Sequence, residues 1–174
     1  ILACGGYAPP DGSTDKCFEL DKNLSSWVET QPLPDSPKGG MRSSIIDGKL
    51  LISGGSYGPY TTSTLVYENG IFSQGPNMPG EKGYHCQVTV NSTHVFFSGG
   101  PFNATFMLDW PKREWIMLED IPETLMLRPA CGLLNNPNGD VEILTALGRF
   151  SYIFSLNNLS SVSYTHLRAH ETEA

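Results

Sequence analysis

The chain, 174 residues long, predicts an all-β repeat protein built from short four-stranded antiparallel units, about three to four of them. Two observations carry this expectation. A short apolar strand runs into a glycine pair three times, at Gly5 and Gly6, Gly54 and Gly55, and Gly99 and Gly100, and a weaker copy, VEILTALG, ends at Gly148. A recurrence every 45 to 49 residues is the mark of a repeat architecture. In addition, no window of about eleven residues or more carries an apolar stripe at helical spacing. The 13 prolines and 18 glycines interrupt the chain too often for helices to persist.

Each unit reads in the same order. The first strand is apolar and ends in a tight turn: RSSII before Asp47-Gly48, CQVTV before Asn91-Ser92-Thr93, and CGLL before Asn138-Gly139. The second strand is the one that runs into the glycines. The third carries an aromatic residue, CFEL around Phe18 and TLVYENG around Tyr67, while FMLDW from Phe106 arrives a few residues early. A polar turn then leads to the fourth strand, marked by Trp27, Phe72 or Trp115. An apolar residue joined to proline closes the unit: Leu33 and Pro34, Met78 and Pro79, Ile121 and Pro122. Short β-branched or aromatic runs bounded by Gly, Pro, Asn, Asp or Ser are the signature of strands and hairpins.

A single four-stranded sheet cannot bury both faces alone, so units of this period stack radially as propeller blades. The glycine pair, the aromatic of the third strand and the Trp near the fourth resemble the kelch repeat over residues 1–161. The resemblance implies a partial kelch-type β-propeller with blade units at about 1–34, 41–79, 84–122 and 128–161. The first unit lacks its first strand and the last stops after its third, so the chain is expected to be an incomplete fragment holding about half of one ring. Three positions depart from the pattern: Phe72 replaces Trp, the aromatic of the third unit is early, and Leu147 replaces a glycine. Gly5, Gly6, Gly54, Gly55, Gly99 and Gly100 are expected where neighbouring blades crowd and a Cβ would clash. Trp27, Tyr67 and Trp115 are expected to fill the space between blades. Residues 162–174 have no repeat character, resemble a translated cloning adaptor, and are expected to be non-native or disordered.

The net charge of −7, with 11 basic against 18 acidic residues, argues against nucleic acid as a partner, because phosphate binding wants a basic face. No apolar run approaches the roughly 20 residues of a membrane span. Four Asn-x-Ser/Thr sequons, at Asn23, Asn91, Asn103 and Asn158, stand among only ten asparagines. Composition alone supplies about one or two. The repeat alignment puts all four in surface turns or loops, where a glycan can be carried.

Cys4 precedes the first glycine pair and Cys17 opens the next strand, so the two flank one hairpin loop, and a disulfide between them suits the usual Cα separation. The arrangement is similar to the Cys-Gly-Gly and Cys-aromatic pairing of secreted animal kelch proteins. Cys86 and Cys131 fall in the first strands of successive units; their pairing is open, with buried free thiols as the expectation. Sequons and cysteines together point to an extracellular or secretory-pathway location.

Kelch-type propellers include radical-copper oxidases resembling galactose oxidase, so His85, His94, Cys86 and Tyr84 are weighed as ligands. None has a ligand spacing such as His-x-x-x-His or Cys-x-x-Cys. No nucleophile elbow or phosphate loop is present, and the adjacent acids Glu119 and Asp120 read as a solvated loop. The expectation is therefore a non-catalytic module with no catalytic residue, cofactor or metal, which binds a protein or glycan ligand through blade loops such as 56–62 and 101–105. Tyr57 and Tyr60 are candidate anchors there, with packing against a neighbouring blade as the equal alternative. Two other readings stand beside it: an intracellular kelch adaptor recruiting substrates to a ubiquitin ligase, and a fragment of a galactose-oxidase-like copper enzyme.

Overall fold

The computed structural model describes residues 1–168 apart from 11, 36–37, 57, 122–127, 136–140, 148–149 and 159–160. Every regular element among the described residues is a strand. The first stretch holds β1 (Leu2–Cys4), β2 (Tyr7–Ala8), β3 (Gly12–Ser13), β4 (Cys17–Leu20) and β5 (Trp27–Thr30). Here β1, β4 and β5 form a three-stranded antiparallel sheet, and β2 and β3 pair as a small ribbon inside the loop that follows β1. Three four-stranded antiparallel sheets follow, each with its strands in chain order. The second sheet is β6 (Arg42–Ile46), β7 (Lys49–Ser53), β8 (Thr64–Glu68) and β9 (Ile71–Gln74). The third is β10 (Cys86–Thr89), β11 (His94–Ser98), β12 (Phe106–Asp109) and β13 (Glu114–Met117). The fourth is β14 (Ala130–Asn135), β15 (Val141–Leu147), β16 (Phe150–Asn158) and β17 (Ser161–Arg168). Two compact units result, residues 1–83 with the first two sheets and residues 84–174 with the other two.

In the first unit, alternation along the strands gathers Leu50, Ile52, Leu65, Tyr67 and Phe72 on one face of the second sheet, because Leu50 lies opposite Tyr67, Ile52 opposite Leu65, and Tyr67 opposite Phe72. That face packs on Cys17, Leu33, Leu2 and Cys4. The Tyr67 and Phe72 rings are tilted with centroids 4.8 Å apart, a favoured aromatic geometry. Trp27 is 51% exposed. Its register opposite Leu20 puts it on the face of the first sheet turned away from Cys17, where Ala3 and Glu29 are exposed too.

The second unit has a larger core. Cys86, Val88, Phe96, Met107 and Ile116 share one face of the third sheet and pack on Ile143, Tyr152 and Phe154 of the fourth. The Phe96 and Phe154 rings meet at 4.9 Å. On the opposite face of the third sheet Phe97, Phe106 and Trp115 form an aromatic cluster with centroids 5.1–5.6 Å apart. The whole of β11 is buried, which explains why its centre, Val95, Phe96 and Phe97, is continuously apolar instead of alternating.

Two expectations are corrected in this unit. Cys86 and Cys131 are not free thiols: they form a disulfide between β10 and β14 with a Cα separation of 5.7 Å. The reason lies in the register. Cys86 is opposite Ser98, on the Phe96 face, and Cys131 is opposite Thr145, on the Ile143 face; these are the two faces that pack together. The fourth sheet also does not stop at its third strand, and residues 161–168 are not disordered, because β17 pairs along β16 as a fourth strand. A three-stranded sheet leaves an open ladder edge, and Val162, Tyr164 and Thr165 have the β-propensity to fill it. Residues 169–174, the end of the expected tail, lie outside the described residues, as does Gly148.

The two disulfides close loops of different length, Cys4 to Cys17 with a separation of 13 and Cys86 to Cys131 with a separation of 45. Chain entropy makes the longer loop worth about 4 kcal/mol and the shorter about 3 kcal/mol. Paired Cys→Ser variants compared by urea unfolding should show the larger loss of stability for Cys86 and Cys131.

Candidate functional site

The antiparallel order of each sheet gives it two distinct ends. The tight turns 47–48, 69–70 and 91–93 lie at one end, and the glycine pairs, the loops after them and the connections between sheets lie at the other. The loop ends carry the longest irregular segments. They are built around left-handed backbone that favours glycine: Gly5, Gly54 and Gly99 have φ of 64–69°, and Gly6, Gly55 and Gly100 have φ of 90–109°.

In the first unit the two glycines of a pair have separate tasks. The N–H of Gly5 donates to the Lys16 carbonyl and that of Gly54 to the Ser63 carbonyl, which closes the loop after the second strand. The N–H of Gly6 donates to the Lys38 carbonyl at 2.8 Å and that of Gly55 to the Lys82 carbonyl at 2.9 Å, which ties in the connection that follows the sheet. The approach is close. A Cβ on Gly5 would stand 2.5 Å from the Lys38 carbonyl oxygen, and one on Gly55 2.7 Å from Met41 Cγ.

Lys38 and Lys82 are themselves buried, which the sequence pattern did not lead us to expect. The signal was present as a repeated Lys-Gly dipeptide, Lys38-Gly39 and Lys82-Gly83, a few residues beyond the closing prolines Pro34 and Pro79. A buried ammonium needs an anion. Lys38 Nζ lies 2.6 Å from Asp35 Oδ2, which also accepts the Ser63 hydroxyl across to the next loop. Burial pushes the Asp35 carboxyl up, but the bonds from Lys38 and Ser63 outweigh it and hold the group below its ordinary value of 3.8. The same end of the unit contains Tyr60, half-buried, with its ring so close to Gly83 that a Cβ there would stand 2.5 Å from it. Tyr60 thus packs on Gly83 while remaining partly exposed; Tyr57 lies outside the described residues. Gly58 and Pro59 form the exposed tip. A cleft of about 210 Å³ between the two sheets, lined by Leu2, Cys4, Met41, Arg42, Leu50 and Ile52, gathers no catalytic grouping.

In the second unit the loop after Gly100 is shorter and held from inside. Asn103 and Ile121 exchange hydrogen bonds, Asn103 Nδ2 donating to the Ile121 carbonyl and the Ile121 N–H to the Asn103 carbonyl, both at 3.3 Å. Thr105 is fully buried, its hydroxyl beside that of Ser98, and its N–H donates to Asp120. Asp120 thus braces the loop. Phe102, 47% exposed, is the apolar side chain this loop offers to solvent.

The residues weighed as metal ligands are not brought together. Cys86 is in a disulfide, and His85, fully buried, stacks on Phe97 across the other face of the sheet. His94 sits at the turn end, its Nδ1 2.8 Å from the Thr93 hydroxyl. Tyr84 lies under the Arg128 guanidinium. Among the described residues no group of three His, Cys, Asp or Glu side chains is placed to hold a metal ion. Of the sequons, Asn23 and Asn91 are exposed in turns, Asn103 is half-buried, and Asn158 ends β16, its side chain outside the described residues.

No protein-family model matches this sequence, and no curated protein matches it. A solved structure reported as "Structure of YjhT", a kelch-type β-propeller, superposes with a TM-score of 0.73 at 13% sequence identity, over 99% of this chain. The chain is a partial β-propeller. It spans 66% of the length of that structure, just under two thirds, and an identity this low carries the fold alone. The sheets are accordingly its blades, and the loop and turn ends are the two rims of each blade.

Two substitutions probe the loop end. Asp35→Asn should cost about 1–3 kcal/mol at pH 7 by leaving a buried ammonium without its anion. Because the Asp35 carboxyl is depressed, its contribution is present above its ordinary value of 3.8 and lost as pH falls through the lower folded value, so the variant and parent should converge in urea midpoints on acidification. Gly55→Ala should cost more than Gly6→Ala: both pay for a left-handed backbone, about 1–2 kcal/mol, but only Gly55 has neighbours within 4 Å of the added methyl.

Proposed function

We propose that this chain is part of a kelch-type interaction propeller of a secreted or extracellular protein, non-catalytic, and that it binds a protein or glycan ligand through the loop ends of its blades. The observation that carries the reading is that all four cysteines are paired, one bond within the first blade and one between successive blades. Structural disulfides persist in oxidising compartments and are rare in reducing ones. The loop ends suit recognition because their backbone is held by the glycine and lysine bonds while the tips, Gly58 and Pro59 in one blade and Phe102 in another, remain exposed. A rigid scaffold that presents exposed loop tips is a common basis for binding.

Intact mass tests the secretory reading. The chain, expressed in animal cells behind a signal peptide and alkylated without reduction, should be secreted with no alkylated cysteine and should lose mass on glycosidase treatment. Four alkylated thiols and an unglycosylated mass would overturn the reading and favour the intracellular adaptor.

A further inference from the structure

The sequons are equal in sequence but not in structure. Asn91 is exposed in the turn between β10 and β11. Its side-chain contacts fall on Oδ1, which accepts the Thr93 N–H at 2.9 Å and the Thr93 hydroxyl at 3.0 Å and lies 3.3 Å from His94 Nδ1. Glycan transfer takes place at the other atom, Nδ2, so the turn holds the asparagine with its acceptor nitrogen unengaged by the described residues. Asn23 is exposed in the turn between β4 and β5. That turn is braced from outside the asparagine: Asp21 accepts the Ser25 N–H at 2.7 Å and the hydroxyls of Ser25 and Ser26. The Ser25 N–H holds the Asp21 carboxyl down at about 2, so the brace persists across physiological pH.

Asn103 is the opposite case. Its Nδ2, the atom that would carry the sugar, donates inward to the carbonyl of fully buried Ile121, and the third residue of its sequon, Thr105, is also fully buried. A sugar on Nδ2 would have to fit where the loop meets Ile121, and the reciprocal bonds that shape this loop would be lost. A chain glycosylated there is disfavoured in its folded form.

We propose that N-linked glycans are carried by Asn23 and Asn91, at the turn ends of their blades, and that Asn103 is bare in the folded protein. This deepens the secretory reading given above and rests on it. In the third blade the consequence is a separation along β11. Its five residues put about 17 Å between a glycan on Asn91 and the loop end, which stays free of sugar and open to a ligand.

Site mapping decides the matter. The full chain, secreted from animal cells, is treated with peptide N-glycosidase in heavy-oxygen water, digested, and each sequon asparagine is scored for conversion to labelled aspartate. Conversion at Asn23 and Asn91 with none at Asn103 is the expected result. Conversion at Asn103, or an unconverted Asn91 or Asn23, overturns the assignment. The same sample, alkylated without reduction, separates this from the broader reading: four reactive thiols together with the expected mapping would sink the assignment to an oxidising compartment while leaving the ranking of sequons intact.

Discussion

In the first unit the fold depends on a backbone contact at the second glycine of each pair. Gly6 and Gly55 reach the carbonyls of Lys38 and Lys82, and through them the end of each second strand is fixed to the segment that leaves its sheet. Everything at the loop end is arranged to permit this approach. The left-handed backbone turns the N–H outward, the missing Cβ at Gly55 makes room for Met41 and Lys38, and the small residues Gly39 and Gly83 let the connection lie flat. The closing apolar residues Leu33, Met78 and Ile121 are buried as a result, each with its N–H bonded back to the loop of its own blade.

Burial explains the rest of the sequence pattern. In the third blade the Phe96 side and the Phe97 side of β11 are both buried, so apolar residues stand on both sides of the strand and its register is specified from both directions. In the first sheet Trp27 and Glu29 share an exposed face. The same aromatic position is therefore half exposed in one blade and, at Trp115, part of a packed cluster in another.

Much of this was legible in the sequence. The glycine pairs, the aromatic strands and the closing prolines recur as strings, and strings in register identify strands without any knowledge of contacts. What was not legible depended on geometry between strands. Whether Cys86 and Cys131 meet turns on which face each presents, and that follows from their partners Ser98 and Thr145 across the ladder. Lys38 and Lys82 were overlooked because lysine is ordinarily a surface residue and because their recurring contact is made by the carbonyl, not the ammonium. The packing of the Tyr60 ring on Gly83 is likewise a contact between separate segments that no string in the sequence reveals. Asn103 looked like any other sequon because nothing in Asn-Ala-Thr reveals that the amide points inward.

The bond between Cys86 and Cys131 has a mechanical consequence. It joins the first strand of the third blade to the first strand of the fourth, so β10 to β13 lie within one covalent loop. Tension applied to the chain on either side passes through the sulfurs and bypasses that blade. The span between them, a sequence separation of 45 or about 150 Å of extended chain, stays out of the load path, and a pull that unravels neighbouring segments leaves the third blade slack until the bond is reduced.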